Sequence, residues 1–382
     1  MKILPSPKEW NIKGKRVILR ADWNVPVEGN KLGEDYRIRR SFATIDYLRK
    51  KKARIIVMSH IGKDGRSSLR PVVEYLEKRM AVGFVPDFRS EEAHGIVRDM
   101  KEGSVVVFEN LRQDSREEKN DPAFAKLLAS FGDYYINDAF SASHRAHASI
   151  VGIPKLLPSA FGFLFLDEIK HLSLALKPTH PFVFVVGGAK VSTKMPLMKK
   201  FARLADTVFV GGALANNFFK EEGMEVGKSF IEKGTFGLRP LFKKKSIILP
   251  SDVVVRDSSG TPQTREISAI MKRDAIMDAG PSTLRALGEK IARAKLIVWN
   301  GPLGNYEAGF DAGTITLLKL LAKARGKTIL GGGDTIALVD RLKMEGAFTF
   351  ISTGGGAMLD YLVDGKLDGI DAIMKKARRS KK

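Results

Sequence analysis

The sequence predicts an α/β protein of two doubly wound parallel-sheet, Rossmann-like domains joined by a long hinge helix. Three observations predict it. Apolar runs of strand length repeatedly end in glycine or polar clusters and are followed by helical periodicity. Four of these junctions carry glycine pairs or triplets, all from residue 182 onward. The strand ends of the first half instead collect cations.

The chain has 382 residues, 44% hydrophobic and 28% charged, which suits two domains with ample core. Cysteine is absent, which excludes disulfides, thiol catalysis and any cysteine-bearing zinc site. No apolar run is long enough to span a bilayer, and residues 1–15 are polar and broken by Pro5 and Pro7, unlike a signal peptide. The expectation is a cytoplasmic protein without membrane contact. Glutamine occurs only at Gln113 and Gln263, and with abundant Lys, Arg and Glu this leans towards a thermophilic source. The net charge of +21 implies attraction to anions, whether nucleic acid, phosphorylated metabolites or acidic surfaces. Runs such as Lys50-Lys51-Lys52 and the basic tail 375–382 read as solvated faces, and no nucleic-acid reading motif accompanies them.

In chain order, residues 16–19 form a strand that delivers Arg20, Asp22 and Asn24 before Pro26. A helix over 36–50 carries Arg37, Arg39 and Arg40 in its first turn, where cations oppose the helix dipole and call for a compensating negative group. Strands at 54–58, 105–108 and 134–136 end in Ser59-His60-Ile61-Gly62-Lys63, in Glu109-Asn110-Leu111-Arg112 and in the stretch 137–147. Together these ends present Arg37, His60, Lys63, Arg112 and Arg145, a set suited to a small polyanion. His144 and His147 lack a carboxylate at zinc-site spacing, so anion contact or a structural role is the better reading. Asp22 and Asn24 are placed to accept from substrate hydroxyls or to orient the arginines.

A composition shift at 150–158 precedes a helix over 160–177, ended by Pro178 and Pro181. The predicted division is a first domain over 1–157, an interdomain helix over 158–178, a second domain over 179–359 and a C-terminal segment over 360–382. Beyond the helix, residues 182–186 run into Gly187-Gly188-Ala189-Lys190, and 207–210 into Gly211-Gly212. Residues 328–330 run into Gly331-Gly332-Gly333-Asp334-Thr335, and 348–351 into Ser352-Thr353-Gly354-Gly355-Gly356. In a parallel sheet such loops share the carboxyl edge, where backbone N–H groups and helix N-termini meet an anion. Asp334 and the Thr335 hydroxyl could hold a divalent metal carried by a nucleotide phosphate. Lys190 and Lys194, spaced i, i+4 behind the first junction, suit phosphate clamps. A strand at 296–299 leads into Asn300-Gly301-Pro302, and Glu307 beyond it could grip ribose hydroxyls. No Walker A loop or G-x-G-x-x-G fingerprint is present.

A small anion on one side and a nucleotide on the other point to phosphoryl transfer. No evident base stands in these loops. A carboxylate acceptor explains that, because its pKa near ~4 leaves no proton to remove at neutral pH. Catalysis then reduces to aligning two anions and neutralising charge on the phosphoryl in flight.

Along nearly its whole length the chain resembles phosphoglycerate kinases. The matching stretches are RVILRADWNVPV (16–27), 59–63, 109–112, NDAFSASHRAHAS (137–149), GGAKVSTK (187–194), WNGPLGNYE (299–307), 331–335 and 352–357. The resemblance implies reversible, Mg²⁺-dependent transfer between 1,3-bisphosphoglycerate and ADP, giving 3-phosphoglycerate and ATP, by a cytoplasmic glycolytic monomer that closes about a hinge. The family's triose site falls on Asp22, Trp23, Asn24, Arg37, His60, Ile61, Gly62, Lys63, Arg112 and Arg145. Its nucleotide site falls on Lys194, Gly211, Gly212, Pro302, Glu307, Gly332, Gly333, Asp334 and Thr335, with Asp334 on the metal. Arg37, Lys190, Gly332 and Gly355 would stabilise the transferring phosphoryl, and the segment from Asp360 onward would return to the first domain. The chain departs from the family's pattern at Lys63, in place of Arg, at Met358, in place of a small hydroxyl residue, and at Asn305, in place of an apolar one. A different carboxylate kinase and a nucleic-acid-binding protein are the competing readings.

Overall fold

The computed structural model describes residues 4–29 and 31–379, which form two compact units. One runs to Lys170 and resumes at Lys366; the other is His171–Gly365.

The first unit contains β1 (Arg16–Arg20), β2 (Val27–Glu28), β3 (Lys31–Leu32), β4 (Arg54–Met58), β5 (Gly83–Val85), β6 (Val105–Phe108), β7 (Tyr134–Asn137) and β8 (Ser159–Phe161). Its helices are α1 (Tyr36–Lys50), α2 (Arg70–Glu77), α3 (Glu91–Arg98), α4 (Pro122–Ser130), α5 (Ile153–Leu156) and the start of α6 (Phe163–Leu176). Six strands make one parallel sheet in the order β5-β6-β4-β1-β7-β8, while β2 and β3 form a small hairpin. Central strands such as β1 are buried on both faces, which is why they read as unbroken apolar runs. The α1 helix turns Ile38, Phe42, Ile45 and Leu48 onto the sheet, and each such burial contributes about 1.5–3 kcal/mol. Connections run to one side of β1 through β4, β5 and β6, then jump to β7 on its other side. The order therefore reverses beside β1, and the loops that carry Asp22 and Arg145 leave at that point.

The second unit contains β9 (Phe182–Val186), β10 (Thr207–Val210), β11 (Ile247–Ile248), β12 (Asp252–Arg256), β13 (Pro262–Glu266), β14 (Ala275–Ala279), β15 (Leu296–Asn300), β16 (Lys327–Gly331) and β17 (Phe350–Ile351). Its helices are α7 (Val191–Leu204), α8 (Ala213–Glu221), α9 (Arg239–Phe242), α10 (Pro281–Arg293), α11 (Ala312–Ala322), α12 (Gly333–Arg341) and α13 (Gly356–Asp364). The parallel order β11-β10-β9-β15-β16-β17 reverses between β9 and β15. Across that switch Gly187 donates its N–H to the Asn300 carbonyl at 2.9 Å, and Gly188 donates to the Pro302 carbonyl at 2.8 Å.

Two expectations need correction, at residues 159–161 and at Asp360. Residues 159–161 are strand rather than helix, and the long helix begins at Phe163. The division between units falls at 170/171, inside α6, within the stretch expected to form the interdomain helix. Asp360 lies in α13 of the second unit, and the chain rejoins the first unit only at Lys366, before α14 (Asp368–Arg379). In addition to its parallel sheet the second unit holds an antiparallel one, β13-β12-β14. Residues 380–382 of the basic tail lie outside the described residues.

Candidate active site

At the carboxyl edge of the first sheet, the strand ends brace one another before they meet any ligand. Arg37, in the first turn of α1, donates from Nη1 to Asp22 Oδ2 at 2.5 Å, and Asp22 is 1% exposed. This is the negative group that a cation at a helix N-terminus calls for. Its neighbours are compensated too: Arg39 pairs with Asp35 at 2.6 Å, and Arg40 lies 3.7 Å from Asp167. Asp22 Oδ1 has no hydrogen-bond partner among the described residues. Asn24 Oδ1 accepts from the Gly62 N–H at 2.9 Å, and Arg112 donates to the Gly62 carbonyl at 2.7 Å, so one residue of the 59–63 loop is held from both sides.

His60 is almost wholly buried, and Arg20 donates from Nη2 to its Nδ1 at 3.1 Å. Burial, then Arg20, Arg112, Arg145 and His147, hold its pKa well below the ordinary histidine value. His147 is likewise pushed down to about 4, by burial and then by Arg20, Arg112, Arg145 and His144. Both imidazoles are therefore neutral at neutral pH. Arg112 is also lowered, chiefly by burial and by Arg145. Arg112 also pairs through Nε with Glu118 at 3.1 Å, which acts against that lowering.

The structure brings Asp22, Asn24, Arg37, His60, Gly62, Arg112 and Arg145 into this edge, but it distinguishes their roles. Trp23 is fully buried, its indole N–H donating to Ser41 at 3.0 Å, and Ile61 is 1% exposed. Lys63 is exposed. Arg145 is exposed beside His144.

In the second unit the β9, β10 and β15 junctions pack against each other. A Cβ at Gly212 would stand 2.7 Å from Gly188 N and 2.9 Å from Pro302 O, and Gly212 has φ +62°. Only glycine permits both the approach and the backbone. Beneath these loops lies a cavity of about 470 Å³ whose walls include Gly188, Gly212, Pro302, Glu307 and Asp334. Gly211, Gly332, Gly333, Thr335 and Lys194 are not part of that wall. Lys194 donates to Asn300 Oδ1. Burial lowers its pKa to about 8, with Asp334 opposing. Lys190 precedes α7 and is exposed. Gly332 and Gly355 open α12 and α13 with φ of +102° and +51°. Met358 is fully buried with its sulfur against Gly331, so the departure fills core rather than the cavity.

Asp334 is exposed in the first turn of α12 and accepts from the Tyr306 hydroxyl at 3.2 Å. Among the described residues no group of three or more His, Asp or Glu is gathered to hold a metal. A single carboxylate fits a Mg²⁺ ion that arrives with phosphate oxygens and water, the usual way this ion binds. Thr335 is fully buried, and its hydroxyl has no hydrogen-bond partner among the described residues. Sequence reasoning left Asn300 and Tyr306 without a role. Asn300 and Tyr306 stand inside the motif 299–307 and were legible only as its flanks.

Two doubly wound units, one with a cationic strand edge and one with a glycine-walled cavity, define the chain as a phosphotransferase of α/β architecture. The phosphoglycerate kinase family model matches residues 8–366. A phosphoglycerate kinase of Borreliella burgdorferi (strain ZS7) is 39% identical over 378 residues, spanning 94% of this chain and 96% of the relative. That of Thermomicrobium roseum is 40% identical over 388 residues, spanning 97% and 99%. Among solved structures, phosphoglycerate kinase from Coxiella burnetii superposes with a TM-score of 0.85 at 33% identity, covering 98% of this chain and 100% of its own. The enzyme from Pyrococcus horikoshii OT3 gives 0.87 at 28% identity, covering 97% and 99%. The chain belongs to the phosphoglycerate kinase family.

Proposed function

We propose that the protein transfers a phosphoryl group reversibly between 1,3-bisphosphoglycerate and ADP, giving 3-phosphoglycerate and ATP, as a cytoplasmic glycolytic monomer. The observation that carries this reading is the first-unit edge, where Arg20, Arg112 and Arg145 lie close enough to two neutral histidines to lower their pKa values. Arg37, held by Asp22, and Arg112, held by Gly62, are pre-oriented donors for phosphate and carboxylate oxygens. The unpartnered Asp22 Oδ1 suits the substrate hydroxyl. Trp23 and Ile61 shape this site through backbone alone, and Lys63 supplies a mobile point charge where a forked contact would otherwise stand.

The nucleotide occupies the cavity of the second unit, its ribose near Glu307, its base between the Gly211-Gly212 and Pro302 loops, and its phosphates towards Lys194 and the amides at Gly332, Gly333 and Thr335. Mg²⁺, held through Asp334, would neutralise phosphate charge and orient the phosphoryl for in-line transfer. Lys190, Arg37 and the N–H groups at Gly332 and Gly355 offset charge on the phosphoryl as it moves. The acceptor is an ionised carboxylate, so no residue has to take a proton. Transfer requires both reactants in line and water excluded, which implies a hinge closure on binding.

A coupled assay with ATP, Mg²⁺ and 3-phosphoglycerate tests the reading. Turnover with 3-phosphoglycerate but not with acetate or carbamate is expected, and the reverse preference would overturn it. Turnover should persist at moderate salt, where counterion-driven binding to nucleic acid collapses.

A further inference from the structure

Arg20, at the end of β1, is 1% exposed and ion-pairs with no carboxylate among the described residues. Its guanidinium donates from Nε to Ser149 Oγ at 2.8 Å, from Nη1 to the Ala21 carbonyl at 2.6 Å and from Nη2 to His60 Nδ1 at 3.1 Å. Glu117 is fully buried, and its nearest basic group is His147 Nδ1 at 3.9 Å. Its carboxylate accepts the Ser149 hydroxyl at 2.5 Å and the Ser149 backbone N–H at 2.9 Å. A buried cation and a buried anion, each costly alone, are thus joined through one hydroxyl. That hydroxyl has a single proton, given to Glu117, so its lone pair faces Arg20.

The geometry points to Glu117 and Ser149 as positioning residues that, through the Ser149 hydroxyl, fix the Arg20 guanidinium and so lock His60 in its Nε2–H tautomer. A guanidinium carries donors only, so the Nδ1 it faces has to be the accepting nitrogen. The proton of the neutral ring then sits on Nε2. His60 is accordingly offered to the substrate as an uncharged donor within an edge that already carries its cations. This role rests on the triose-phosphate reading above, whereas the tautomer itself does not.

The experiment is long-range ¹H–¹⁵N correlation of the histidine rings in the full chain at neutral pH, read alongside steady-state kinetics. The wild type is expected to show His60 as one tautomer, protonated at Nε2. In Ser149→Ala the ring should show both tautomers, with KM for 3-phosphoglycerate raised about tenfold, a smaller loss in kcat and KM for ATP unchanged. Ser149→Thr, which keeps the hydroxyl, should restore the single tautomer. Glu117→Gln keeps an acceptor without the charge and should show an intermediate mixture, and it serves as the readout if Ser149→Ala does not fold. A single Nε2–H tautomer in both Ser149→Ala and Glu117→Gln overturns the proposal, and so does a KM rise with the tautomer unaltered. A wild-type ring protonated at Nδ1 overturns it outright. Failure of wild-type turnover with the expected tautomers intact would remove the triose reading and leave the relay standing.

Discussion

Two lysines one helical turn apart do different work because their surroundings differ. Lys190 is exposed, follows Gly187-Gly188 and accepts the Thr193 hydroxyl only at its backbone carbonyl, which leaves the proposed contact with the phosphoryl to its ammonium. Lys190→Ala is expected to lower kcat a hundredfold or more, ~3 kcal/mol, with nucleotide affinity little changed. Near-normal turnover in that variant would remove Lys190 from the chemistry. Lys194 is tethered to Asn300 and titrates at about 8 because burial disfavours its charge. A bound phosphate favours the ammonium, so above that pH nucleotide binding takes up a proton and weakens as pH rises. Titration calorimetry in buffers of different ionisation enthalpy should detect that uptake near pH 8 and lose it in Lys194→Met. Affinity independent of pH between 7 and 9.5 would contradict the assignment.

Among elements, the loops at the switch between β9 and β15 depend on glycine in a way that can be tested at one position. Gly212→Ala would force a side chain into φ +62° and drive its Cβ against Gly188 and Pro302. Nucleotide affinity should fall by about tenfold or more while the first-unit site is untouched, as equilibrium binding of ADP and of 3-phosphoglycerate would show. Equal loss of both ligands would mean global destabilisation instead. These junctions were legible because strands buried on both faces are continuous apolar runs and the glycines follow directly; the runs expected at 54–58, 105–108, 182–186 and 207–210 are the strands observed. The sheet β13-β12-β14 was not legible, since β13 (PQTRE) is mostly exposed and polar and its pairing is set by β12 rather than by its own pattern. Residues 159–161 were lost to the helix behind them, because Ala160 and Phe161 suit either state and only pairing with β7 decides. In the site, Arg37 and Asp334 could be named from motifs, whereas the Glu117–Ser149–Arg20 chain could not, because its members lie 97 and 129 residues from Arg20 along the chain (117 − 20 and 149 − 20) and meet only by folding.

For the whole molecule, the decisive fact of connectivity is that the first unit is completed by the last described helix. After Gly365 the chain places Leu367 at 5% and Ile373 at 0% exposure, and α14 packs on residues 148–156 and β8. The Gly369 N–H donates to the Ser143 carbonyl at 2.9 Å, and Ser143 in turn accepts from Asn137 at 3.0 Å, in the loop that carries Arg145 towards the site. A chain ended at Gly365 would therefore expose that floor. Two buried aliphatic side chains at about 1.5–3 kcal/mol each are lost, roughly 3–6 kcal/mol in all, a large part of any domain's stability. Scanning calorimetry should show the first unit's transition lowered by about 10 °C or more, with 3-phosphoglycerate turnover abolished. ADP should still raise the transition of the second unit, because its cavity is built wholly from residues 188–334. If truncation instead left both transitions and the turnover in place, the return of the chain would be ornamental, and the coupling of site to terminus argued here would fail.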